Sequence, residues 1–127
     1  MKPVGPPPMT DEEHELVIEV LMLEHLLALL ENDRDCLRYF DFKLGDIHAR
    51  YLSQVHKKIL ADVFRKRAEM RRRGIKIYDQ LKTDAFLEAH YLCRGYRHTS
   101  RLLWPYIDAQ AKVILASYLG IDLGEEI

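Results

Sequence analysis

The run from Leu16 to Leu30 constrains this chain more than any other segment, because Glu19, Glu24 and His25 alone interrupt its apolar side chains. A capped start precedes it. In Thr10-Asp11-Glu12-Glu13 the threonine hydroxyl can accept the Glu13 amide hydrogen while the Glu13 carboxylate reaches back, the spacing of a capping box. The acidic first turn suits the positive pole of a helix. These signals predict a first helix from about Asp11 to Glu31, ended at Asn32-Asp33. Only a narrow polar stripe through Glu12, Glu15 and Glu19 survives on it.

A helix on the outside of a bundle needs an apolar arc of only about 100°. One that is apolar nearly all round must lie centrally or be covered by a second copy of the chain. The run falls short of the ~20 residues a membrane span needs, so protein rather than lipid is expected to bury it. A three-helix monomer has no truly central helix. The sequence therefore predicts a homo-oligomer with Leu16, Val20, Leu23, Leu27 and Leu30 at its interface.

With 127 residues, 48% of them hydrophobic, the chain can build one core without metal or disulfide staples. Residues 1–9, with four prolines and a glycine, read as a flexible tail, 10–121 as a single helical domain and 122–127 as a frayed end. No apolar signal-peptide region follows Met1, and Cys36 and Cys93 form no CxxC pair. Buried, reduced thiols and a cytoplasmic location are expected.

After the break, Leu37, Phe40, Leu44, Ile47, Tyr51, Val55, Ile59 and Val63 recur at steps of three and four residues, the stripe of an amphipathic helix in two pieces. Its second piece runs from about Asp46 to Arg73, with Gly74 as the stop. From Ile75 to Tyr96 the pattern alternates. A two-stranded hairpin turning at Thr83-Asp84-Ala85, with paired residue numbers summing to 168, would put the odd positions on one face. A helix from Thr83, with Phe86, Ala89 and Cys93 on one stripe, competes with it. A last helix is expected from about Pro105 to Leu119, stopped by Gly120. The fold class that follows is mainly α: a bundle of three to four helices with a two-stranded antiparallel hairpin before the last helix.

Charge is unevenly spread. Residues 1–64 hold 7 basic and 12 acidic side chains, whereas residues 65–101 hold 11 basic and 4 acidic. If the hairpin folds back, Arg67, Arg71, Arg72, Arg73, Arg94, Tyr96 and Arg97 form a candidate polyanion patch, guanidinium groups for phosphates and a tyrosine for stacking. The plainer alternative is that these arginines cap a helix and pair with Glu12, Glu15 and Glu19.

The six histidines form no Glu-x-x-His, His-x-x-x-His or His-Glu-x-x-His spacing, so no metal site is expected. His25 reads as a core or interface histidine. Cys93 with His90 or His98, and Ser100 with His98, lack a nucleophile turn or an orienting group. There is no glycine-rich phosphate loop. The cluster around Trp104 reads as a core plug. A small, non-enzymatic interaction or assembly protein without cofactor follows, self-associating through its first helix. A nucleic-acid-associated regulator, or a binder of an acidic protein, is the alternative.

Overall fold

A computed structural model describes residues 5–125. The element order is α1 (Asp11–Tyr39), α2 (Gly45–Arg72), β1 (Ile75–Lys82), β2 (Phe86–Cys93), β3 (Tyr96–Leu103) and α3 (Trp104–Leu119). The first four residues of the expected tail, and the last two of the chain, lie outside the described residues.

The mainly-α bundle with a two-stranded hairpin is overturned: the strands form a three-stranded antiparallel sheet in the order β1-β2-β3. The third strand has a physical reason for escaping the sequence pattern. Its positions on the helix-facing side of the sheet include His98 and Ser100, opposite Tyr91 and Ala89 of β2. Those polar groups break the expected alternation. Ser100 is satisfied instead by a hydrogen bond of 2.7 Å to the Tyr91 hydroxyl, which costs no unpaired group.

The expected register holds for Ile75–Cys93, Lys76–Leu92 and Ile77–Tyr91, and then slips by one at Tyr78. This bulge reverses the faces of the rest of β1. Gln80 and Lys82 align with Ala89 and Leu87 on the helix side, while Leu81 aligns with Glu88 and is exposed. The turn into β2 is fixed by Thr83, whose hydroxyl accepts the amide hydrogens of Ala85 and Phe86. Trp104 donates its indole N–H to the Thr83 carbonyl at 2.6 Å, tying α3 to that turn.

The capping box of α1 is formed as its spacing requires, with Glu13 N–H donating to the Thr10 hydroxyl and Thr10 N–H to the Glu13 carboxylate. The helix does not break at Asn32-Asp33 but continues to Tyr39. Helix penalties for such residues are under about 1 kcal/mol each, too small to stop a helix already formed. Gly120 adopts φ 68° and Ile121 N–H returns to the Ala116 carbonyl, which ends α3.

Two clusters of buried side chains share α1. One joins Val17, Val20, Leu21 and Met22 to the sheet through Leu87, Ala89, Tyr91 and Cys93. The other joins Leu23, Leu26, Leu27 and Leu30 to Val55, Ile59 and Val63 of α2 and Ala111 of α3. α1 is thus the central element, covered by the sheet along one stretch and by α2 and α3 along the other, where the Tyr118 hydroxyl of α3 also donates to Asp62 of α2. Among the described residues no helix is long and apolar enough to cross a membrane.

Where α1 hands over to α2 the backbones come very close. A Cβ added at Gly45 would lie 2.5 Å from the Leu37 carbonyl oxygen. Gly45→Ala is therefore expected to cost about 1–3 kcal/mol, read as a lower urea midpoint. An unchanged midpoint would show that this turn yields freely.

Candidate functional site

Arg94 and Glu13 form the most densely bonded polar node in the described chain. Arg94 sits at the first position of the two-residue β2–β3 turn with φ 50°, followed by Gly95 at φ 90°. Both values suit a type I′ hairpin turn, where asparagine or glycine is usual. The guanidinium uses all five of its N–H groups. Two go to the Glu13 carboxylate oxygens at 2.8 Å, and three to the carbonyls of Arg73, Pro7 and Pro8 at 2.7–3.0 Å. Glu13 is buried, and the Arg94 hydrogen bonds, helped by the Thr10 amide, hold its carboxyl down to about 2.

The arginine patch expected from the sequence is assembled in space but largely neutralised. Arg67 pairs with Glu24, Arg72 with Glu69, and Arg73 with Glu69, Glu12 and Glu13. Lys66 donates to Glu19 at 2.6 Å. The Tyr96 hydroxyl donates to the Pro6 carbonyl. Among the described residues Arg71 and Arg97 make no ion pair. The acidic face of α1 has met the basic segment, which a charge count along the chain does not reveal.

The leucines expected at an oligomer interface are placed elsewhere. Val20, Leu23, Leu27 and Leu30 are 0–9% exposed within a single copy of the chain, and Leu16 is half-buried against the same core. The second-copy cover inferred for them is supplied by α2, the sheet and α3. Cys93 is buried, which raises its thiol above the ordinary range, but Cys36 is exposed, contrary to expectation.

No group of three or more metal-ligating side chains occurs among the described residues. His25 lies beside Trp104, at 5.4 Å between ring centroids, and burial lowers its pKa. His14 hydrogen-bonds to the Tyr91 hydroxyl at 2.9 Å, and the His98 ring stacks on Tyr91. Ser100 is therefore engaged by Tyr91, not His98. On the solvent face of the sheet, His90 contacts Glu88 at 3.0 Å and Thr99 at 3.3 Å. A hydroxyl, an imidazole and a carboxylate do line up there. They do so on an open strand face, and catalysis also needs a concave site that holds a substrate.

The feature that sequence reasoning missed is the tip of the α1–α2 hairpin. Both buried clusters stop at Leu30 on α1 and at Leu52 on α2. Beyond them Tyr39 is 86% exposed, Leu44 and Ile47 64%, Phe42 59%, Phe40 55% and Tyr51 48%. Phe40 touches Tyr39 and Phe42 edge-on, at 5.4 and 6.4 Å between centroids. Phe40, Leu44, Ile47 and Tyr51 belong to the stripe that the heptad-like spacing assigned to a core. The spacing correctly grouped them, but they join neither buried cluster.

A sequence model of the YhjD protein family matches residues 8–123, a span that includes all six elements. The chain belongs to the YhjD family. One relative, Uncharacterized protein YhjD of Bacillus subtilis (strain 168), is 25% identical over 113 residues, covering 89% of this chain and 94% of its own length. No solved structure matches. The family span takes in both the Thr10 cap and the tip, so the polar node and the exposed apolar end of this YhjD-family chain both lie within the matched residues.

The pH dependence of folding follows from the node. Because the Glu13 carboxyl is held at about 2 against an ordinary 4.5, the unfolded chain binds its proton more readily. The stability this gives is present above 4.5 and is lost as pH falls toward 2. His25 and His98 are held below 6.5 chiefly by burial, so they add a separate loss as pH falls below 6.5. Glu13→Gln should shrink the acid step below 4.5, leaving the part that Glu88 contributes because Arg101 holds its carboxyl below the ordinary range, and lower the melting temperature at neutral pH by on the order of 10 °C. Calorimetry across pH checks both. A wild-type-like acid profile in the variant would remove Glu13 from this role.

Proposed function

We propose that this chain is a small non-enzymatic assembly protein that associates with a second copy of itself through the α1–α2 tip. The observation that carries the reading is the six-residue apolar and aromatic end lying outside both buried clusters. Weighted by their exposed fractions, these side chains offer on the order of 700 Å². The largest apolar patch on an ordinary monomer is about 300–600 Å², and a stable interface buries about 800 Å² per partner.

Charge favours self-association over an anionic partner. Residues 38–51 carry three cations, Arg38, Lys43 and Arg50, against two carboxylates, Asp41 and Asp46. Arg50 is already paired with Asp46 at 2.9 Å. A two-fold contact sets the same patch against itself, so interspersed signs complement one another where a single sign would repel. The nucleic-acid alternative has less to stand on, since most of its arginines are spent on carboxylates of α1 and α2.

The test is solution mass. Sedimentation equilibrium should give twice the 15.0 kDa chain mass. The triple variant Phe40→Ser, Phe42→Ser, Ile47→Ser should give the single-chain mass with its melting temperature as a monomer intact, because these side chains belong to neither buried cluster. A native protein that stays monomeric at high concentration, or a dimer indifferent to the variant, would overturn the reading.

A further inference from the structure

The opposite end of α2 holds a second unassigned feature. Between its last two turns and the edge strand β1 lies an open groove of about 500 Å³. Arg67 and Arg71 reach it from one face of α2, four residues apart, and Lys76 reaches it from β1. Its floor is apolar: Met70 and Ile75 are buried and Ile77 is half-buried. The lining contains no carboxylate, although the chain has 20 acidic side chains.

Three cations around one groove repel one another unless something compensates them. Arg67 is answered from outside the groove by Glu24. Among the described residues Arg71 and Lys76 make no ion pair. The helix end adds little negative charge there, because the Glu69, Met70 and Arg71 carbonyls accept the amide hydrogens of Arg73 and Gly74. Charged donors above an apolar floor, in a volume within the usual range for small-molecule sites, define an amphipathic ligand.

We propose that this groove binds a small amphipathic anion. Its carboxylate or phosphate head lies between Arg71 and Lys76, and its short apolar body lies on Met70, Ile75 and Ile77. The site is about 40 Å along α2 from the Gly45 end, so the inference stands apart from self-association at the tip.

Amide chemical shifts of the full-length protein, titrated separately with octanoate, octyl phosphate, inorganic phosphate and octanol, test it. Octanoate or octyl phosphate should give saturable shifts confined to residues near 67–77, and whichever binds more tightly identifies the head group. Inorganic phosphate, lacking the tail, and octanol, lacking the charge, should bind more weakly. Arg71→Ala with Lys76→Ala, at two exposed positions, should weaken the amphiphile about tenfold or more and leave the melting temperature unchanged. Absence of shifts with both amphiphiles, shifts centred elsewhere, or equal affinity in the double variant would overturn the site. Inorganic phosphate binding as tightly as the amphiphiles would overturn the role of the apolar floor.

Discussion

The contact between Glu13 and Arg94 joins four parts of the molecule that are distant in sequence. Through one guanidinium, the first turn of α1 is bound to the β2–β3 turn, to the Arg73 carbonyl beyond α2 and to the carbonyls of Pro7 and Pro8. A buried ion pair is weak as a source of net stability compared with apolar side chains of the same shape. Its value lies in geometry. Sliding the sheet over α1, or starting the helix one residue later, would strand a buried carboxylate and a guanidinium together. Arginine accepts a left-handed backbone at position 94, where the unfavourable conformation costs roughly 1–2 kcal/mol, because no shorter side chain would reach all four partners.

With that node fixing the sheet against one stretch of α1, and α2 and α3 covering the other, the all-round apolar character of α1 has a simple cause. Val17, Val20 and Leu21 serve the sheet cluster, and Leu23, Leu26 and Leu30 serve the helical one. Three helices alone have no inside helix; three helices and a sheet do. The sheet, chiefly through β2, covers Val17 to Met22, while α2 and α3 cover Leu23 to Leu30, so these side chains need no second copy. That cover has a limit. α3 has 16 residues against 29 and 28 in α1 and α2, so it covers only part of their length.

Local signals were legible in the sequence wherever the partner lies within a few residues. Thr10 and Glu13, the Thr83 turn and the Gly120 stop are of that kind, and α2 begins and ends within about one residue of its expected bounds. The β1–β2 alternation was legible too, up to the bulge at Tyr78, which no composition signal marks. What could not be read depends on distant partners. Ser100 is at home in the sheet because the Tyr91 hydroxyl, itself bonded to His14, reaches it. That the basic segment meets the acidic stripe of α1 was the plainer reading of the charges, and Glu12 and Glu19 do take part, but Glu24, which pairs with Arg67, lay outside that stripe. Periodicity showed that Leu44, Ile47 and Tyr51 share a face with Val55 and Ile59, but it carries no information on whether anything packs against that face.

That last distinction bears on function. Val55 and Ile59 are apolar because the fold requires it, since replacing either would open the core. Leu44 and Ile47 sit on the same stripe with about two-thirds of their surface in water, where polar residues would serve folding equally well and solubility better. The close approach at Gly45 holds the α1–α2 turn in a fixed shape, so the aromatic side chains around it are presented on a rigid support. Stability therefore accounts for the support but not for the side chains on it. An apolar end that folding does not need, held rigid at some cost in backbone freedom, makes physical sense when its surface is covered by something other than the rest of its own chain.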